Sequence, residues 1–175
     1  GGLSINNADA VREIKLSAQS DVFIGADLIA NLAIKADGQS ISTSEETNLI
    51  ANVVGLSAIK DIVLKGDIKA LELKLEADNL ASEADLLAID ALIIRVNKEA
   101  SFEDSTVGSK QANFDLAEFK ITDTSFNVSK FTVKAEKTLI ESGTIEVNEL
   151  DFKLGDTVTN NLKLFAEIAI VSYEN

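Results

Sequence analysis

Apolar and polar residues alternate along most of the chain, as expected for β-strands that bury one face. The first clear example runs from Leu28 to Ala36, where every second residue is apolar and Ile29 is the exception on the opposite face. It is followed by Asp37-Gly38, a pair typical of tight turns. Comparable strands are predicted at 68–77, 119–122, 131–135, 144–147, 150–154 and 162–171. The chain is therefore predicted to be mainly β.

A helix is predicted at about 44–54. Thr43 is followed three residues later by Glu46, which is the spacing of a capping box, and acidic residues fill the first turn. Gly55 then lies where a helix would end.

A second helix is predicted at about 82–92, followed by a strand. Ser82 and Asp85 repeat the capping spacing, and Leu87 and Ala91 are separated as on one helical face. The same residues also alternate as they would in a strand, so the pattern leaves both structures open.

A short repeat begins at residue 114. Cutting the sequence there in steps of 12 gives FDLAEFKITDTS and FNVSKFTVKAEK, which match at four apolar positions, and the match then fades. The matched residues are Phe114, Leu116, Phe119 and Ile121 in the first unit and Phe126, Val128, Phe131 and Val133 in the second. A parallel β-solenoid would produce such a rhythm, and so would antiparallel strands joined by two-residue turns.

Residues 1–175 are expected to form a single β-rich domain, because no linker composition interrupts the chain. The predicted fold class is all-β and mainly antiparallel, sandwich or jelly-roll-like, with the short helices at 44–54 and 82–92. The fading repeat and the first helix favour this architecture over the alternative, a parallel β-solenoid.

Charge restricts the possible partners. The chain has 16 Lys and Arg against 29 Asp and Glu, a net charge of -13, and only two arginines, Arg12 and Arg95. Such a surface repels phosphate backbones and anionic headgroups. We therefore expect no binding to nucleic acid and none to an anionic membrane surface.

Catalysis is not expected, since the chain has neither His nor Cys. Histidine triads, thiol nucleophiles and zinc sites of the usual kind are thereby excluded. The remaining candidates are neighbouring polar residues: Glu45 with Glu46, Glu103 with Asp104, and Ser109 with Lys110. The acid pairs are more typical of solvated loops, and adjacent strand residues such as Ser109 and Lys110 point to opposite faces. No catalytic or cofactor-binding residue is therefore predicted.

Calcium is the metal most compatible with the acidic turns, because it prefers oxygen ligands. The sequence contains no EF-hand loop and no glycine-aspartate nonapeptide repeat, so the signal is weak and the metal ligands stay unknown. Asn127-Val128-Ser129 matches a glycosylation sequon inside a predicted strand. Three residues alone do not predict a glycan.

Alternating apolar segments lie near both ends of the sequence, at 10–18 and 162–171. In the second, the residues predicted to share one face are Leu162, Leu164, Ala166, Ile168 and Ile170. Such a strand either pairs within its own sheet or is donated to a neighbouring subunit. Pairing within the domain is the ordinary expectation, whereas donation would convert a soluble domain into a filament.

The function favoured by these features is that of a non-enzymatic structural subunit of an extracellular filament, pilus or surface layer. It would self-associate into a homopolymer through strand-to-sheet contacts. The alternative is a binding module, either an adhesin or a lipid-carrying β-groove. A secreted or cell-surface location is expected, and Gly1-Gly2 would be a processing boundary or a cloning scar.

Overall fold

Neighbouring strands are parallel throughout the part of the chain that the structure describes, and they wind into a β-solenoid of about seven turns. The structure is a computed structural model that describes the backbone of residues 3–5, 8–10 and 12–173, and side chains from 12 to 173. The expectation of an all-β protein is confirmed. The predicted antiparallel sandwich or jelly roll is wrong, and the architecture is the solenoid that the repeat left as the alternative.

Thirteen strands are described, and the longest continue around corners of the solenoid. Their bounds are β1 Leu3–Ile5, β2 Ala8–Ala10, β3 Glu13–Ser17, β4 Val22–Ile24, β5 Leu28–Ala30, β6 Ala33–Gly38, β7 Ile41–Thr43, β8 Asn48–Ala58, β9 Asp61–Leu64, β10 Asp67–Ser82, β11 Asp85–Glu103, β12 Thr106–Thr122 and β13 Thr124–Tyr173.

Each turn, or coil, has three short walls. In β12 the paired segments are 106–109 (wall 1), 111–116 (wall 2) and 118–121 (wall 3). Residue 110 and residue 117 lie between the paired segments, where the strand bends from one wall to the next. Parallel strands cannot be joined by a tight hairpin, so each coil travels around all three walls before it meets the previous one.

The step between paired residues is close to 19, the separation of Ser105 and Thr124, whose hydroxyl oxygens are 3.3 Å apart in adjacent coils. Paired residues of β12 and β13 are 19 positions apart throughout. The pairing of β11 with β12 begins instead with Leu86 and Val107, which are 21 positions apart. The 12-residue repeat read from the sequence is therefore not the structural period. Phe114 and Phe126 lie on different walls of adjacent coils, and their ring centroids are 6.2 Å apart.

Inward-facing side chains stack in continuous columns along the solenoid axis. One wall 1 column contains Leu28, Leu49, Ile68, Leu86, Val107 and Phe126, all of them buried. Burial of each large aliphatic side chain is worth roughly 1.5–3 kcal/mol relative to exposure. A solenoid core and a sandwich core both require apolar residues at alternate positions of each strand. The alternation alone therefore did not distinguish the two folds.

The helix predicted at 44–54 is wrong, because residues 44–47 form a corner and the strand β8 begins at Asn48. The Thr43 hydroxyl donates to the carbonyl of Lys65 (2.7 Å) instead of capping a helix. Thr47 likewise donates to the carbonyl of Ile24 (2.9 Å). The hydroxyls of Thr43 and Thr47 thus hold neighbouring coils together at this corner.

The helix predicted at 82–92 is also wrong. Ser82 is the last residue of β10, and Asp85 is the first of β11. The Asp85 carboxylate accepts a hydrogen bond from the backbone N–H of Thr106 in the next coil (2.9 Å). β-branched and alternating residues after Asp85 favour the strand, and pairing on both sides of β11 stabilises it.

Two buried threonines provide a matched stability test. Thr138 Oγ1 has no hydrogen-bond partner among the described residues, whereas Thr124 Oγ1 donates to the carbonyl of Thr122 (2.9 Å). We expect Thr138→Val to raise the free energy of unfolding by about 1 kcal/mol and Thr124→Val to lower it, because only the first removes an unpaired polar atom. Urea denaturation of both variants checks this. Equal destabilisation by both substitutions would contradict it.

Candidate interaction surfaces

The residue pairs considered for catalysis lie apart on the surface. Glu45 and Glu46 are exposed in a corner, where a Glu45 oxygen is 3.5 Å from Lys65 Nζ. The Glu45-Glu46 pair follows the end of β7, and the Glu103-Asp104 pair lies at the end of β11. These two strand ends are three coils apart, or roughly 14 Å at about 4.8 Å per coil. The structure therefore does not join the two acid pairs into one site.

Ser109 and Lys110 are engaged with different neighbours. The Ser109 hydroxyl donates to the carbonyl of Gln111 (2.8 Å), and Lys110 Nζ is 2.8 Å from an Asp90 oxygen. They do not form a hydroxyl-amine pair. Asn127 of the sequon is exposed on β13.

Acidic residues do not gather into a metal site in the described part of the chain, where no three or more are close enough to hold an ion. The calcium ligands sought in the acidic turns are therefore not found among those residues. In the same part of the chain, no helix has the length and hydropathy needed to cross a membrane.

Many surface charges pair across adjacent coils. Lys120 Nζ is 2.6 Å from a Glu99 oxygen, and the pKa of Lys120 is raised chiefly by this hydrogen bond. A hydrogen bond from Lys98 lowers the pKa of Asp78 in the same way. Exposed pairs of this kind add little stability individually, but they favour the observed coil register. Two other parts of the surface expose large apolar side chains that take no part in these ion pairs.

The first apolar surface is the C-terminal coil, which we define as residues 156–173. The preceding coil is covered and buries residues such as Phe152 and Leu154, whereas only Thr157 and Leu162 are even partly buried in the C-terminal coil. The Ser172 hydroxyl donates to the carbonyl of Phe152 (3.4 Å). This contact is expected if the 19-residue step between β12 and β13 continues, because that step places Ser172 beside Lys153.

The same 19-residue step indicates which side chains of the C-terminal coil point toward the core, and we call these residues its inward row. Continuing the buried residues of the preceding coil by the same step places Leu164, Ala166, Ala169, Val171 and Tyr173 over the end of the core. Val171 is 44% exposed and Tyr173 is 67% exposed, because no further coil covers them in the described chain. The end of the hydrophobic core is therefore open to solvent.

The outward row of the same coil is also apolar. Phe165, Ile168 and Ile170 occupy outward positions where the coil before has Glu146, Glu149 and Asp151. Under the same step, the predicted common face of residues 162–170 does not continue to its end. Leu164 and Ala166 follow the buried residues Ile145 and Val147, whereas Ile168 and Ile170 follow Glu149 and Asp151.

The opposite end of the solenoid has a comparable open edge. β1, β2 and β3 each pair on one side only, with β4, β5 and β6, among the described strands. The predicted terminal strand at 10–18 corresponds to β3 and the last residue of β2. Ile14 and Leu16 on β3 face the core.

The second apolar surface is the wall 1 groove, a concave region of about 430 Å³ on the outside of wall 1 and its corner with wall 2. Its large apolar side chains are between 38% and 49% exposed: Ile29, Ile50, Leu71, Leu87 and Ile89. Ile29 pairs with Ile50, Ile50 with Lys69, and Lys69 with Leu87, so these residues form a column across four coils.

Sequence reasoning missed the wall 1 groove because its members come from four different coils and are far apart in the chain. The available signal was Ile29, the one apolar residue on the polar face of its strand. Only the coil register shows that Ile50 and Leu87 lie in the same outward column. No family model, curated protein or solved structure compared with the chain matches it.

Proposed function

We propose that the chain is a non-enzymatic structural subunit of an extracellular filament, pilus or surface layer, which assembles end to end through strand pairing. The observation that carries the proposal is the C-terminal coil, whose inward row of apolar side chains is exposed in the described chain. An exposed strand edge with apolar side chains is a template for pairing with another chain. The partner that fits it is the N-terminal edge of a second copy.

Interior columns explain why a second copy fits. Ile14 and Phe131 belong to one column through successive strand pairs, and Leu16 and Val133 belong to the next. Placing β3 of a second copy over Ala169 and Val171 would extend both columns with apolar side chains. The parallel pairing and core of the solenoid would then continue from one copy into the next.

This contact is head to tail, so it does not close on itself. Each added copy presents a new C-terminal coil, and repetition therefore produces a polar filament. The low charge of the C-terminal coil, with only Asp156, Lys163 and Glu167, reduces repulsion at the joint. A secreted or cell-surface location is part of the proposal and is compatible with an acidic rod that has no Cys.

A lysine in the joint tests the proposal. We expect the protein to assemble with rising concentration and salt, since salt screens the -13 net charge, and we expect Val171→Lys to stay monomeric. Val171 is already 44% exposed, so the substitution leaves the fold intact. Ile59→Lys is the matched control, because Ile59 is 64% exposed at a corner away from both ends. Analytical ultracentrifugation and negative-stain microscopy measure the outcome.

Mixing identifies the polarity of the joint. Val171→Lys protein retains its N-terminal edge, so it should add to a growing filament once and then stop growth. Small fractions of it should therefore shorten wild-type filaments, whereas Ile59→Lys protein should co-assemble. A wild-type chain that is monomeric at every concentration overturns the proposal, and a dimer that never grows shows a tail-to-tail contact instead.

A further inference from the structure

We propose that the wall 1 groove is a docking site for a basic amphipathic helix of a partner protein. This surface is separate from the C-terminal coil, and the inference does not depend on end-to-end assembly. It rests on the contiguity of the exposed apolar side chains, on the spacing of the coils and on the charge beside the groove.

Contiguity distinguishes the wall 1 groove from ordinary surface exposure. Scattered apolar side chains are normal on a soluble protein, whereas a grouped apolar patch marks an interaction surface. Ile29, Ile50 and Leu87 share one column, and Leu71 and Ile89 lie beside it at the corner. Lys69 lies between Ile50 and Leu87 in the first column, and Asn31 and Asn52 also line the groove. The five large apolar side chains therefore dominate a mixed stripe that runs parallel to the solenoid axis.

Coil spacing favours a helix as the occupant. Adjacent strands are about 4.8 Å apart, so the column from Ile29 to Leu87 is roughly 14 Å long. A helix lying along the axis advances about 5.4 Å per turn, so each turn meets approximately one coil. Apolar residues at i, i+3, i+4 and i+7 would then contact both columns. An extended strand repeats its side chains on one face about every 6–7 Å and matches the spacing less well.

Charge beside the groove specifies the polar side of the partner. Asp27 and Asp85 lie two residues before Ile29 and Leu87. The Asp27 carboxylate accepts hydrogen bonds from the backbone and side chain of Asn48 (3.0 and 2.7 Å), and the Asp85 carboxylate accepts one from the backbone N–H of Thr106 (2.9 Å). In the coil between them Asp67 lies 2.9 Å from Lys69 Nζ, which raises the pKa of that lysine and offsets its charge. With a net charge of -13, the protein attracts cations over its whole surface. A helix with lysines flanking its apolar stripe therefore complements the groove, whereas an acidic helix is repelled.

The test uses two synthetic helical peptides of about 14 residues, long enough at about 1.5 Å per residue to cover the groove. One combines leucine and lysine, and the other has glutamate in place of each lysine. We expect the leucine-lysine peptide to bind saturably with 1:1 stoichiometry in isothermal titration calorimetry, and more weakly as salt increases. The leucine-glutamate peptide should bind at least about tenfold more weakly. Absence of saturable binding, or equal binding of both peptides, overturns the proposal.

Paired variants locate the binding. Ile50→Gln with Leu87→Gln should weaken peptide binding at least about tenfold, because one large apolar side chain is lost from the middle of the column and another from its end. The matched control is Phe23→Gln with Val63→Gln, two exposed apolar residues on wall 3, which should leave binding unchanged. Circular dichroism checks that all variants remain folded. Equal weakening in both double variants indicates non-specific attraction and overturns the proposal.

Two other occupants are distinguished by the same variants. If the protein co-sediments with phosphatidylcholine vesicles and Ile50→Gln with Leu87→Gln abolishes this, the groove binds lipid and the proposal is wrong. If the double variant instead abolishes self-association of the protein in the ultracentrifuge, the groove is an interface between copies, which also overturns the proposal.

Discussion

Phe126→Ala is expected to lower the free energy of unfolding by about 3–5 kcal/mol, the usual cost of removing a buried phenyl ring. Phe126 is 1% exposed and lies at the centre of a cluster of rings, with centroid distances of 5.5 Å to Phe102 and 5.3 Å to Phe131. Its loss leaves a cavity between two walls and removes the aromatic contacts, each worth roughly 0.5–1.5 kcal/mol beyond burial.

Phe165→Ala is the matched control, since Phe165 is 59% exposed on the C-terminal coil. The same atoms are removed there from a side chain that contributes little to the core, so the change in unfolding free energy should stay within about 0.5 kcal/mol. Urea denaturation of both variants, at a concentration where the protein is monomeric, measures the difference. Comparable losses in the two variants would show that the ring cluster does not form the core of the C-terminal half.

Gly66→Ala is expected to destabilise the protein by about 2–4 kcal/mol, through backbone strain together with a steric clash. Gly66 has a φ of +81°, a conformation that costs a residue with a Cβ roughly 1–2 kcal/mol. An added Cβ would also clash with the carbonyl oxygen of Thr47, which accepts a hydrogen bond from the Asp67 N–H of the next coil. The substitution therefore strains the corner and separates two coils.

Gly55→Ala provides the comparison, because the nearest atom to its added Cβ is the Lys35 Cγ at 3.9 Å. This substitution should be neutral or should stabilise the protein by about 0.4–1 kcal/mol, through the reduced entropy of the unfolded chain. Thermal and urea denaturation measure both variants. Equal effects of the two glycine substitutions would contradict the geometry assigned to the corner.

Prediction of the strands from sequence depended on the alternation, and it was correct where the chain crosses a wall. Leu28, Ala30, Ile34 and Ala36 are buried as predicted, but Leu32 is 48% exposed. Leu32 lies at a corner between β5 and β6, where the alternation resets. The corners could not be predicted because some of them are single residues between two paired segments of a continuous strand.

The two incorrect helices have a common cause. Hydroxyl and carboxylate side chains satisfy backbone groups at a helix end, and they do the same at a solenoid corner. In the solenoid the partner belongs to another coil, as with the Thr43 hydroxyl and the Lys65 carbonyl, 22 residues apart. A local sequence pattern does not distinguish a partner three residues away from one in the next coil.

Of the two candidate surfaces, the apolar C-terminal segment was recognisable from the sequence. Its alternating apolar residues predict a strand that must pair with another strand, in its own sheet or in a neighbouring subunit. The wall 1 groove was not, since each coil contributes only one or two of its residues. Its existence depends on the step from each coil to the next, and that step changes at bulges such as the one between Ala70 and Glu72.

By itself the sequence determined that the protein is mainly β, acidic, and without the residue types of histidine or cysteine catalysis. These properties follow from composition and from a period-2 pattern, which are local. Only the tertiary structure decided that the strands are parallel, how far apart in the chain paired residues lie, and which outward residues form a continuous surface. The physical reason is that side-chain alternation specifies what each strand buries, whereas hydrogen bonds between residues far apart in the chain specify which strand lies beside it.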